Sequence, residues 1–402
     1  MKISRQIIYP LNYFKIIANF FSISRNNYKK KITNKLKLSK KTIFLGRART
    51  GIFLAVKLLL NNKRPNVLMS PYTIPDVINM VICAGGIPVF IDFSKKTTFI
   101  DMDKIKKSLL SNSSILILTH YNINEENYKK IKSICNKSNI SLVEDCAISN
   151  SSYSNNIPIG SLSNASVYSF STFKFLNFFY GGLISVKSNK DFKRLNEITY
   201  KWKKLDFYDY VPQMIKTIKY NLLTSKNFFT FITFNLLKFY KIKKNGYLIN
   251  RYSKYSIRKM DKTYFSKPHD AFFIEICRKL KDFNFYQEIR RNNALIYYKY
   301  LKSLSIPWNI NKDLIKKSSC YNYTIYVKDK TLLQKYLLNK GFDTGNAMYE
   351  NCSKYPYYKK FKGTSKNIDD LIKYSLVLPT HYEVNKGYAK NLSRTILNYY
   401  SR

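Results

Sequence analysis

Acid is scarce in this sequence. Only 24 Asp and Glu stand against 70 Lys and Arg, a formal net charge of +46. Such an excess attracts phosphates, nucleic acid or an anionic membrane surface. The chain is also rich in Asn, Ile, Tyr and Phe, the bias of an A/T-rich genome. Drift of that kind accounts for abundant lysine better than for scarce acid, so a membrane-surface role stays open. Glycine (12) and proline (11) are too few for long flexible linkers. The three histidines, His120, His269 and His381, lie far apart in sequence, which argues against a His-rich metal centre. Six scattered cysteines without a C-x-x-C pair argue against a disulfide framework or a zinc site and suit a reducing cytoplasm.

Long hydrophobic runs are missing as well. The stretch Asn227 to Leu237, NFFTFITFNLL, falls short of the roughly 20 residues a bilayer span needs. A buried helix or a subunit contact is the expected role, and a dip into a membrane face is the other reading. The opening residues mix apolar and basic side chains, Pro10 and Lys15 break the run, and no small-residue cleavage site follows. They read as a basic amphipathic arm, residues 1–40, rather than a secretory signal. No internal repeat is visible.

What is present is a globular pattern. Hydrophobic residues make up 45% of 402, enough for a large core and for two or three domains. Apolar strands alternate with amphipathic helices from about residue 41. Gly51 to Leu60 reads as a buried helix, Asn66 to Ser70 as a strand, and Ile74, Val77, Ile78, Val81 and Ile82 as one helical face. Pro88 to Asp92, Ser114 to Thr119 and the SLVED run ending at Asp145 follow as strands. This alternation predicts a mostly parallel α/β sheet covered on both faces, with ligands beyond its carboxyl ends. Beyond a segment rich in aromatic and basic residues, Ser225 to Tyr264, a smaller α+β domain is expected. The expected domains are 41–255 and 256–402.

One stretch concentrates the chemistry. In SVYSFSTFKFLNFFYGG, Lys174 follows an apolar strand among Phe173, Phe175, Phe178 and Phe179. Desolvation there favours the neutral, nucleophilic amine. LVEDCA puts Glu144 and Asp145 at the end of another strand. Side chains alternate along a strand, so the two carboxylates point opposite ways, and Asp145 is the stronger candidate. An amine and a carboxylate at neighbouring strand ends suit pyridoxal phosphate. The amine forms the Schiff base, and the carboxylate keeps the pyridine nitrogen protonated. At Thr50 and Gly51 a helix begins, so their backbone N–H groups can face the cofactor phosphate, with Arg49 adding charge. Thr50 as a plain N-cap is compatible with this.

The order and spacing resemble the DegT/StrS family of sugar aminotransferases, a branch of the fold-type I pyridoxal phosphate enzymes. The similarity runs from about Phe44 to His381. GRARTGIFLAVKLLL resembles the family's G-R-T-A-L opening, and VLMSPYTIPDVINMVICAGGIPVFIDF its P-x-Y-T to A-G-x-x-P-V-F-V-D stretch. TTFIDMDKI, ILTHYN, LVEDCA, IGSLSNASVYSFSTFK and YSLVLPTH follow in the family's order. The resemblance implies the fold-type I architecture, Lys174 as cofactor lysine and proton shuttle, Asp145 on the ring nitrogen, Ser169 on the phosphate and Ile74 over the ring face, with Tyr72 nearby. Dehydratase relatives carry His at the lysine position, so Lys174 points to transamination. The implied reaction moves an amino group, from glutamate or glutamine, to a keto group of a nucleotide-linked sugar for surface polysaccharide. A cytoplasmic homodimer with the site at the subunit boundary is implied, with the basic surface open to peripheral contact with an anionic membrane.

Three departures accompany the resemblance. Ile148 stands where Gln or His faces the cofactor's ring hydroxyl, Asn122 replaces the glycine after H-x-Y, and the Asn a neighbouring subunit lends to the phosphate has no counterpart in view. Ile148, the drifted composition and the basic arm motivate a second reading, a pyridoxal-phosphate-fold protein without turnover that acts as a binding or membrane-associated module. Nucleic-acid binding through charge is a third, and no recognisable nucleic-acid module supports it.

Overall fold

The computed structural model describes residues 2–401 except 23–26, 39–40, 96, 103–104, 106, 122–124, 150–151, 155–156, 244–259, 261 and 307–309. Asn122 and the expected domain boundary at 255/256 lie outside the described residues.

Seven strands build the central sheet: β1 (Thr42–Leu45), β2 (Asn66–Met69), β3 (Ile87–Phe90), β4 (Ser113–Thr119), β5 (Ser141–Asp145), β6 (Ala165–Ser169) and β7 (Gly182–Val186). They lie in the order β1-β7-β6-β5-β4-β2-β3. β7 runs antiparallel to both neighbours, and every other pairing is parallel. The strands read as continuous apolar runs because both faces are covered. Phe44, Leu68, Leu116 and Leu142 pack on one side. Ile43, Leu45, Val67, Ile115, Val143 and Val167 pack on the other.

Two short helices, α1 (Tyr13–Phe20) and α2 (Tyr28–Lys35), precede the sheet. α3 (Ala48–Leu59) then presses seven buried residues onto the sheet, and α4 (Pro75–Cys83) starts with proline in its first turn, where the missing N–H is harmless. After β7 come α5 (Asn189–Thr199), α6 (Phe207–Thr224) and α7 (Phe234–Lys243). α6 opens on a capping box, Asp206 and Asp209 each accepting the other's backbone N–H. α8 (Asp270–Lys279) lays Phe272 and Phe273 against Phe44 and Phe170, so it belongs to the large core.

The smaller unit holds α9 (Phe283–Leu301), an antiparallel sheet of β8 (Ser305–Ile306), β9 (Tyr323–Tyr326) and β10 (Ser375–Leu378), and α10 (Lys386–Tyr400). Its core joins Tyr297, Leu301, Ile325, Leu376 and Leu392.

The opening residues depart from the amphipathic arm expected. Ile3, Ile7, Ile8, Tyr9 and Leu11 are buried. The segment threads between the two units as a strap, and side chains satisfy its backbone. The Ser4 carbonyl accepts from His381 Nε2 (2.7 Å), the Arg5 N–H donates to Asp343 (3.0 Å), the Tyr9 carbonyl accepts from Asn177 (3.1 Å) and the Pro10 carbonyl from Lys279 (2.6 Å). Those partners lie more than a hundred residues away, so no local pattern announces them. No helix among the described residues is long and apolar enough to cross a membrane.

Candidate functional site

β5 and β6 are parallel neighbours, and their carboxyl ends deliver Asp145 and Ser169 to one place. The chain then turns through residues 170–178, a loop closed by backbone bonds from Phe178 N–H to the Phe170 carbonyl (2.6 Å) and from Lys174 N–H to the Ser171 carbonyl (2.8 Å). Aromatic neighbours on either side fix Lys174 within it. Phe173 meets the Tyr220 ring at 4.7 Å, and Phe175 meets Phe283 and Tyr9 at 5.1 Å each. A cavity of ≈ 380 Å³ opens beyond the strand ends, lined by Lys174, Asp145, Ser169, Arg49 and Ile74 among others.

The electrostatics of the pair are complementary. Burial lowers the Lys174 pKa to about 8; Asp145 opposes that shift and Arg49 assists it. Burial also raises Asp145, against the Ala147 N–H, Lys174 and His120. Among the described residues its side chain accepts one hydrogen bond, from Ala147 N–H at 3.0 Å. A cavity-facing carboxylate this short of donors has room for a protonated ring nitrogen, so the residues fit pyridoxal phosphate. Glu144 points the other way, as alternation predicts. It accepts from Tyr128 (2.6 Å), Gly160 N–H (3.0 Å), Ser163 N–H (3.1 Å) and His120 Nε2 (2.8 Å). Burial pushes its pKa up, but His120, Tyr128 and Ser163 outweigh that and the net shift is downward. His120, Glu144 and Cys146 lie together in the interior. The carboxylate there is already saturated with donors, so the group is a structural knot.

The anion end of the cavity is built by α3. Arg47 is its N-cap and Ala48 its first residue, and both line the cavity with Arg49. The leading N–H groups of a helix have no intrahelical acceptor. Ser169 and Ser171 add hydroxyls 3.3 Å apart. Gly182 lets this helix start approach the sheet: a Cβ there would sit 2.3 Å from Ala48 Cα. Arg49 is ion-paired with Asp76.

Thr50 and Gly51 do not line the cavity. The helix starts two residues earlier than the sequence suggests, which rotates both inward. The Thr50 hydroxyl donates to the Tyr264 carbonyl at 3.0 Å, and Gly51 lies against Val167, where a Cβ would meet Cγ1 at 2.8 Å. Tyr72 is buried among Phe93, Tyr121 and Tyr349, and its hydroxyl accepts from Met348 N–H, so Ile74 alone of the two lines the cavity. Ile148 lines a smaller space beside Lys174 together with Arg290 and Tyr321.

Several cavity residues escape sequence reasoning. Arg47 lies 4.1 Å from the Tyr180 ring and donates to Thr263 at 3.1 Å. Gln213 and Lys216 reach the cavity from α6, and Tyr349 from the segment whose Glu350 and Asn351 pair with Thr73 and Tyr72. Arg47 sits in the quoted G-R-A-R-T segment and was findable; the rest follow from packing. Arg290 is buried, bonded to the Tyr9 hydroxyl and stacked near Phe175 and Tyr321.

Residues 24–210 and 276–396 match the model of the DegT/DnrJ/EryC1/StrS aminotransferase family. A Micromonospora echinospora protein, named as a candidate L-glutamine:3-amino-2,3-dideoxy-scyllo-inosose aminotransferase, is 23% identical over 146 residues, 36% of this chain and 35% of its own. The match thus spans about a third of that relative. The fold is similar to that of Helicobacter pylori PseC, an aminotransferase of pseudoaminic acid biosynthesis, with a TM-score of 0.72, 15% identity and 100% of both chains covered. It is also similar to the sugar aminotransferase CalS13 from Micromonospora echinospora, with a TM-score of 0.70, 15% identity and 98% and 99% covered.

Proposed function

This chain belongs to the DegT/DnrJ/EryC1/StrS aminotransferase family, and on that premise we propose that it is a pyridoxal-phosphate-dependent transaminase of a nucleotide-linked keto sugar. The carrying observation is Lys174, its pKa lowered toward neutrality, in one cavity with the donor-poor Asp145. Bound there, pyridoxal phosphate supplies an electron sink for charge developing on the carbon that loses its proton. With the cofactor bound, Lys174 Nζ would be the amine that holds its aldehyde and the base that moves the proton from the donor's α-carbon. A base titrating near 8 is matched to that task at neutral pH. Asp145 would hold the ring nitrogen protonated. The N-terminus of α3, Ser169 and Ser171 would hold the phosphate, and Ile74, which lines the cavity, would pack on the ring.

The acceptor sugar, the amino donor (glutamate or glutamine), a homodimer sharing the site and a place in surface-polysaccharide synthesis follow the family pattern and the relatives' names. The peripheral, cytoplasmic setting belongs to the same proposal. Ile148 favours a second reading, cofactor binding without turnover, because its aliphatic side chain offers the ring hydroxyl no hydrogen bond. The test is spectroscopic. Purified protein given pyridoxal phosphate should show a yellow absorption band, borohydride should fix the label on Lys174, and glutamate or glutamine should bleach the band. A band that neither donor bleaches establishes the second reading; no band defeats both.

A further inference from the structure

The family match stops at residue 210 and resumes at 276. Between those points lies a segment with a distinctive composition. No Asp or Glu occurs between Asp209 and Asp261, while eleven Lys and Arg do. The described part holds most of α6 and all of α7. One side of it is anchored. Met214 and Thr217 of α6 face inward, the Thr217 hydroxyl lies 3.3 Å from that of Thr172, and Phe229 and Phe234 pack on Leu338. The other side is apolar and open. Ile215, Ile218 and Leu222 follow one another at i, i+3 and i+7 along α6 and are 49%, 44% and 55% exposed. Phe231, at 72%, and Ile232 and Leu236 extend the exposed apolar surface on the next helical stretch. Lys219 stands exposed beside the α6 stripe.

We infer that this unmatched segment docks the protein on an anionic membrane surface, with Leu222 and Phe231 entering the headgroup boundary and Lys219 among the flanking cations. An apolar stripe on a stretch that holds cations and no acid is the composition of helices that lie in that interface, where buried apolar area and attraction to anionic lipid add together. A protein partner covering the face would have to be acidic around an apolar centre. A second copy that meets it through the same stretch is not, since residues 210–260 carry eleven cations and no acid. That charge argument selects the lipid. The inference does not depend on the reaction at Lys174.

Co-sedimentation of the full chain with vesicles tests it. Vesicles of phosphatidylglycerol and phosphatidylcholine in equal parts should carry the protein down, and pure phosphatidylcholine vesicles should not. High salt should release it. Leu222→Asp with Phe231→Asp should abolish sedimentation, and Lys219→Glu should weaken it roughly thirtyfold, since one surface lysine is worth about a kilocalorie and reversal doubles the swing. All are exposed positions, so far-UV dichroism and melting temperature should match the parent. Hydrogen exchange supplies an arm without substitutions: amides of α6 and α7 should gain protection with anionic vesicles alone. Equal binding to neutral vesicles, no binding, or unchanged binding by the Asp variants overturns the inference. So does a dimer that the Asp variants split while vesicle binding persists, because a second copy then covers the face.

Discussion

The sharpest prediction concerns pH and one amine. Lys174 is moved from 10.5 to about 8, chiefly by burial. At pH 7 an amine with pKa 8 is neutral in about one molecule in ten, and an ordinary lysine in about one in three thousand. Lys174 therefore carries about 300-fold more free amine than a solvated lysine. Even if all 70 Lys and Arg were lysines of ordinary pKa, together they would hold less. Two other lysines are also lowered by burial, Lys279 to about 7 and Lys330 to about 8. Both are tied to backbone carbonyls, of Pro10 and Ile372, at 2.6 Å, and neither lines the cavity. The assay is brief exposure to pyridoxal phosphate at a series of pH values, borohydride trapping and peptide mapping. Label on Lys174 should rise about tenfold per pH unit below 8 and then flatten. A yield that keeps climbing toward pH 10, or label concentrated on Lys279 or Lys330, would refute the assignment of a buried, poised amine.

Three further outcomes follow from the same geometry. Lys174→Met should abolish labelling and raise the melting temperature at pH 7; because the folded pKa lies below the unfolded one, the charged form burdens the fold below about pH 8, and the gap should close as pH rises from there toward 10.5. Glu144→Gln should lower unfolding free energy in urea by about 3 kcal/mol, since an amide cannot accept from all four donors; the parent's contribution holds above the unfolded carboxyl range and fades as pH falls below it, because the folded pKa is lowered. Gly182→Ala should displace the start of α3, with a loss of about 2 kcal/mol and weaker pyridoxal phosphate binding by absorbance titration.

The sequence was most legible where periodicity is short. Every strand expected from an apolar run between residues 66 and 145 is present within one or two residues of its expected ends. Alternation along β5 was enough to separate Asp145 from Glu144, and the structure places them on opposite faces with different partners. The helix after β1 was legible as a helix, but its phase was not. A start at Ala48 rather than Thr50 gives the helix end of the cavity to Arg47 and Ala48.

By itself, the order of residues determined the sheet, the helices that cover it, and the strand ends that carry Lys174, Asp145 and Ser169, because periods of two and 3.6 residues are local and side-chain direction follows from them. Only the tertiary structure decided that residues 3–9 are an internal strap, that α6 brings Gln213 and Lys216 to the cavity, and that the Thr50 hydroxyl turns to Tyr264. Those outcomes depend on partners distant along the chain, and such pairings are set by which buried polar groups find donors and which apolar faces meet once the whole molecule has closed.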